Sequence, residues 1–237
     1  MPNYYAHLKF GGKVLEALPQ GLADAIAAER LRQAVEEGQP QAVGYTAGFL
    51  CHLALDSACH GYVDERAAEG PISHMAMEGE YDRMLMEDDG LDPCGRAHLP
   101  AAPEDGAVWQ AAARAFVHAS PGQVRQAYRA MTFLIGFLAR SCGTKRGRVI
   151  GAVSHMLPIR SAKGIALKEE PHPSAAESNA DLDRLLERAV EETAEQLGAF
   201  FRAVAAEEPV PAWFDRDFKG NPPHIPSTLR WQEAHSA

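Results

Sequence analysis

No apolar run in this sequence approaches the ~20 residues that a membrane-spanning helix needs. The longest, Met131 to Ala139, is interrupted by Thr132 and Gly136. Positive charge is also scarce, with 23 Lys and Arg against 32 Asp and Glu and a net charge of −9. That balance argues against a stable nucleic-acid partner, which needs a basic face, and it opposes adsorption to an anionic lipid surface. A small phosphate-bearing substrate is compatible with it, because a metal site supplies positive charge locally. Cysteine is sparse too: Cys51, Cys59, Cys94 and Cys142 form neither a CxxC pair nor a dense framework, which predicts reduced thiols. Met1 to Lys13 has no apolar core of the secretory-signal kind, so the expected location is cytoplasmic. Alternating β-branched residues and repeats of roughly 20–50 residues are both missing. The composition, 46% hydrophobic and 23% charged, nevertheless suits a folded globular chain.

What is present is helical periodicity along most of the length. Leu22 to Glu37 reads as a helix whose apolar register breaks near Glu29 and Arg30. Pro40 to His60 is apolar on most sides and predicts a buried central helix. Gly61 to Ile72 reads as a turn that folds the next helix, Ser73 to Met86, back on the first. Ala107 to Ala119 follows. Ser120-Pro121-Gly122-Gln123 then supplies an N-cap, a proline at the first helical position and a capping-box glutamine. Gly143 is placed to close that helix. Leu157 to Asn179 is rich in Pro, Ser and Lys and lacks periodicity, the signature of a functional or mobile loop. Asp181 to Ala206 is the clearest amphipathic helix. The expectation is an all-α fold, with a single domain over residues 1–206 and an extended Pro-rich tail at 207–237.

Chemistry concentrates on the central helix. His52, Asp56 and His60 recur at i, i+4 and i+8, a stripe on one side of an otherwise apolar helix. Burying a carboxylate and two imidazoles is expensive unless something compensates them. Two imidazoles and a carboxylate suit zinc; the alternative is a hydrogen-bonded His–Asp pair that only locks two helices together. His60–Asp64 and His74–Glu78 repeat the i, i+4 spacing. His7 stands four residues before Gly11-Gly12, glycines that suggest close helix packing or access to something bound. Cys51 and Cys59 flank the stripe and read as small apolar packing residues. Lys145, Arg146 and Arg148 read as a solvated basic turn, as do Glu87-Asp88-Asp89 as a solvated helix end.

Three ordered blocks resemble the bacterial zinc-dependent phospholipase C family. They are Tyr4-Tyr5-Ala6-His7 with Phe10-Gly11 and Val14-Leu15; Gly48-Phe49-Leu50-Cys51-His52 through Asp56 and Cys59-His60; and Ile72-Ser73-His74 through Glu78, Tyr81 and Asp82-Arg83. The resemblance implies an all-α fold with a cluster of two to three zinc ions in a cleft between helices. It implies His52 and Asp56 as ligands of one zinc, with Asp56 bridging to a neighbour. His60, His74 and Glu78 would hold a second zinc and His7 a third. The implied activity is hydrolysis of a phosphodiester bond in a small phosphodiester or phospholipid, using water whose pKa zinc lowers towards ~7. The family's Gly-Pro-Asp block and a further His are absent between Glu29 and Leu31. That absence favours one alternative, a degenerate, non-catalytic helical metal-binding or interaction protein. A zinc-dependent nuclease or phosphatase is another, and an aromatic platform for stacking a base would discriminate it. Oligomeric state and substrate headgroup are not encoded in these patterns.

Overall fold

The helical periodicity becomes seven α-helices and one short 3-10 turn, with no strand among the described residues. This computed structural model describes residues 4–17, 40–114, 118–156, 163–206 and 208–221. The helices are α1 (Tyr4–Ala17), α2 (Pro40–Glu69), α3 (His74–Asp88), α4 (Gly106–Arg114), α5 (Pro121–Ala139), α6 (Lys145–Met156) and α7 (Ala175–Ala206), and the 3-10 turn is Ala212–Asp215. The reading of Leu22 to Glu37, with its register break, lies outside the described residues. Among those residues no helix is long and apolar enough to cross a membrane. Contacts divide the chain into two compact units, Met1–Leu8 with Tyr62–Asp183 and Lys9–Gly61 with Arg184–Ala237. Helices α1, α2 and α7 run through both divisions, so the partition falls within helices.

In the first unit α3 is the central element. Ser73 caps it by accepting from the Ala76 amide at 3.4 Å. Met77, Tyr81, Leu85 and Met86 are buried, and so, against the usual rule, are Glu78, Glu80, Asp82 and Arg83. Arg83 Nε donates to Glu80 Oε2 at 2.9 Å, and its other nitrogens donate to the Glu169 and Lys168 carbonyls. Ser73 Oγ donates to the Lys163 carbonyl at 2.7 Å. The aperiodic stretch from residue 163 is therefore held on α3 through its backbone. Asp82 is buried and accepts from the amides of Tyr5 (3.1 Å) and Ala6 (2.8 Å), two of the orphan donors at the start of α1. Burial pushes its carboxyl well above the usual range, and the amides of Ala6 and Tyr5 offset this only in part. The capping box forms as expected: Gln123 N donates to Ser120 Oγ, and Ser120 N to Gln123 Oε1.

In the second unit the apolar faces of α2 and α7 supply the core, with Leu50, Leu53, Ala54 and Leu55 from one and Leu186, Val190 and Leu197 from the other. Phe10 and Val14 of α1 are fully buried. Lys13 pairs with Glu187.

Five expectations change. The turn foreseen at Gly61 to Ile72 is instead helix as far as Glu69, leaving residues 70–73 as the connection. The anchors beyond Gly61 explain this: Val63 is buried, Tyr62 Oη donates to Asp181 at 2.7 Å, and Arg66 pairs with Glu177. The thiols foreseen as reduced include a disulfide, Cys94–Cys142, with Cα atoms 5.2 Å apart. The tail is not wholly extended, since Ala212–Asp215 forms a 3-10 turn. Gly11 and Gly12 have open space where a Cβ would stand, so close packing does not require them. Helix α5 ends at Ala139 with Arg140 as its cap, so Gly143 (φ +67°) serves the next connection rather than closing that helix.

Candidate metal centre

The i, i+4, i+8 stripe survives intact because α2 is continuous through it. Asp56 is 5% exposed, and its two oxygens face different imidazoles. Oδ2 is 3.5 Å from His52 Nε2, and Oδ1 is 3.6 Å from His60 Nε2. These separations are long for hydrogen bonds. They are close to the roughly 3.4 Å that separates two ligand atoms sharing one tetrahedral zinc at about 2.1 Å. One carboxylate thus turns one oxygen towards each of two imidazoles.

Helix α3 contributes the second part. His74 is its first residue and Glu78, 4% exposed, lies one turn on. His74 Nε2 is 3.1 Å from Glu78 Oε1, while Nδ1 is 3.0 Å from Asp64 Oδ1. A neutral imidazole has one N–H and one lone pair. Flanked by two acceptor carboxylates, it satisfies one by donation and presents a lone pair to the other. A protonated ring would donate to both, and a cation between Nε2 and Glu78 would take up the lone pair instead, leaving the Nδ1 proton to Asp64. Histidines that ligate metals are commonly oriented in this way by a carboxylate on the other nitrogen.

The ligand atoms gather into two groups. His7, His52 and Asp56 lie within 4.8 Å of one another, and so do His60, His74 and Glu78. All six residues singled out in the sequence belong to one group or the other. His7, expected on a third zinc, joins His52 and Asp56 instead. Each group is two imidazoles and one buried carboxylate, a donor set that fits zinc in charge and in ligand type.

Three residues near these groups were not assigned a role from sequence. Asp64, paired with His60 by spacing, packs against His74. Phe49 and Phe218 stand beside His52, where the Phe218 ring centroid is 5.8 Å from the imidazole. Phe49 lay inside a recognisable block; nothing local marked Phe218. Other candidates prove structural. Cys51 is buried, and burial pushes its thiol up to about 11, away from the thiolate a metal needs. Arg146 donates to Ser141 Oγ and lies over the Phe137 ring, so it is spent on its own turn. His98 donates to the Asp92 carbonyl, and His172 accepts from the Ser174 amide. The side chain of His155, and His224 and His235, lie outside the described residues. No protein-family model, curated protein or solved structure matches this chain.

Proposed function

We propose that this chain is a zinc-dependent phosphodiesterase of the phospholipase C type. The observation that carries it is the buried Asp56 carboxylate, with one oxygen turned towards each of two imidazoles at metal-sharing rather than hydrogen-bonding separation. His7, His52 and Asp56 would hold one zinc, and His60, His74 and Glu78 the other. Bound zinc supplies Lewis acidity to a phosphoryl oxygen and lowers the pKa of water towards ~7. The chain's own residues supply position. Asp64 keeps the His74 proton on Nδ1 and so presents Nε2 as the donor. Asp56 is held by a helix whose adjacent residues Leu53, Ala54 and Leu55 are buried, so its carboxylate has little freedom to turn away. With a net charge of −9, the chain depends on such a site to attract a phosphate anion.

Elemental analysis of protein purified without chelator tests this. About two zinc ions per chain are expected, one for each group, with hydrolysis of bis(p-nitrophenyl) phosphate. A His52→Ala, His74→Ala double variant should lose both metal and activity while keeping its helical circular dichroism. Wild-type protein without zinc, or zinc without hydrolysis of any phosphodiester in a broad screen, overturns the assignment and leaves a non-catalytic relative.

A further inference from the structure

Two aromatic rings stand half-exposed beside His52. Phe49 on α2 is 45% exposed and Phe218 is 42% exposed. Their centroids are 6.5 Å apart at an interplanar angle of 87°, and the Phe218 ring is tilted by 55° to the His52 imidazole. Large apolar rings left in water forgo burial free energy unless something else covers them.

Phe218 is not there by the accident of a loose tail. The segment that carries it is a tight turn pinned to α2. The hydroxyl of Ser57 lies 2.6 Å from the Leu53 carbonyl and 3.0 Å from that of Asp217, one hydrogen shared between helix and turn. The Asp217 carboxylate accepts from the Lys219 amide at 2.8 Å and from the Asn221 amide and side chain, each at 2.9 Å. The Asp217 amide donates back to the Asn221 carbonyl at 3.1 Å. Gly220 closes the turn at φ +78°, where a Cβ would stand 2.8 Å from the Ser57 carbonyl oxygen. Only glycine suits that position. On the other side, Arg216 stacks over Trp213 and donates to its carbonyl. The whole device presents one phenyl ring next to a candidate metal ligand.

We propose that Phe49 and Phe218 form an aromatic subsite that receives an aromatic ring ester-linked to the phosphate. A perpendicular pair of rings offers one face and one edge, the arrangement in which a third ring stacks or packs edge-on. It spans the area of a single ring, not the length of an acyl chain. Neither phenyl group can hydrogen-bond, so the subsite is indifferent to the ring's substituents, as stacking platforms are. The acidic chain lacks the charge to follow a polynucleotide backbone, which points to a small aryl or nucleoside phosphodiester in place of the phospholipid that the family resemblance implies. The subsite depends on the phosphodiesterase reading only for the place of the phosphate beside His52.

Isothermal titration of zinc-loaded protein with phenylphosphonate and with methylphosphonate tests the subsite without turnover. Both present the same phosphonate group and differ in the ring. Wild type should bind the phenyl compound about tenfold more tightly. Phe218→Ala should abolish that preference, and Phe218→Leu, which keeps apolar area without an aromatic face, should restore little of it. Equal binding of the two by wild type, or a preference that survives in both variants, overturns the subsite. Ring preference without hydrolysis of any phosphodiester retains the subsite and rejects the phosphodiesterase assignment, whereas hydrolysis without ring preference does the reverse. No measurable binding of either phosphonate rejects both.

Discussion

Asp64 is a direct handle on the second ligand group, because it touches His74 from outside that group. Its Oδ1 lies 3.0 Å from His74 Nδ1, and the opposite ring nitrogen is 3.1 Å from Glu78 Oε1. Removing such an outer carboxylate typically costs 10- to 100-fold in metal affinity. The Asp64 side chain is 39% exposed, so water competes for the same hydrogen bond and screens the charge. The expectation therefore sits at the low end, about tenfold for Asp64→Ala, or about 1.4 kcal/mol. Asp64→Asn keeps an acceptor oxygen without the charge and should fall between wild type and Asp64→Ala. Competition for zinc against a chromophoric chelator, at fixed pH and ionic strength, resolves two sites and reads each affinity. The loss should be confined to one site, the same one that His74→Ala eliminates. If Asp64→Ala binds zinc within twofold of wild type at that site, or weakens both sites equally, Asp64 does not orient His74.

Three other outcomes follow from the same structure. The Cys94–Cys142 disulfide joins positions 48 apart in sequence, a loop whose closure is worth up to about 4 kcal/mol in the chain-entropy treatment. Reductant should lower the urea midpoint of wild type to that of a Cys94→Ser, Cys142→Ser variant, and coincident curves with and without reductant would refute the linkage. Asp82 has its folded pKa raised by burial, so between the unfolded and folded values the native state binds the extra proton and stability falls as pH rises. Urea midpoints of wild type should therefore decline from about pH 4 upward relative to Asp82→Asn, and parallel pH profiles would contradict this. Cys51, with its thiol pushed up to about 11, should resist a thiol-specific reagent at pH 8 in native protein and react on unfolding; immediate native labelling at Cys51, located by peptide mapping, would show that the thiol is accessible.

The helices were legible where their causes are local. The Ser120–Gln123 capping box is a pattern of four adjacent residues, and it forms with both reciprocal hydrogen bonds. The α2 stripe was legible for the same reason, since i, i+4 and i+8 share a helix side whatever else the chain does. The end of α2 was not. Gly61 costs a helix about 1 kcal/mol and looks like punctuation, but Tyr62, Val63 and Arg66 find partners or burial beyond it. Tertiary anchoring outweighs one unfavourable glycine. The disulfide was hidden for a related reason: Cys94 and Cys142 carry no spacing signature, and their meeting depends on how α5 ends beside the loop after α3, where the Gly95 amide donates to the Ala139 carbonyl at 3.1 Å.

The same division separates the ligands from what surrounds them. Periodicity was enough to nominate His52, Asp56, His60, His74 and Glu78, whereas His7 of α1 was marked as a ligand only by the family resemblance. Asp64 was visible only through its i, i+4 spacing from His60; its reach to His74 Nδ1, ten residues on, follows no helical period. Phe218 was invisible. Its place is decided by a carboxylate that closes its own turn and by a glycine that allows that turn to touch Ser57, and no helical period runs through either. A histidine and carboxylate stripe written into one helix is kept wherever that helix is kept. The ring of the proposed subsite is supplied by a separate segment, and such loop segments vary more readily than the helices they join. On that basis substrate preference in this chain should track the turn at residues 216–221, while metal affinity tracks α1, α2 and α3.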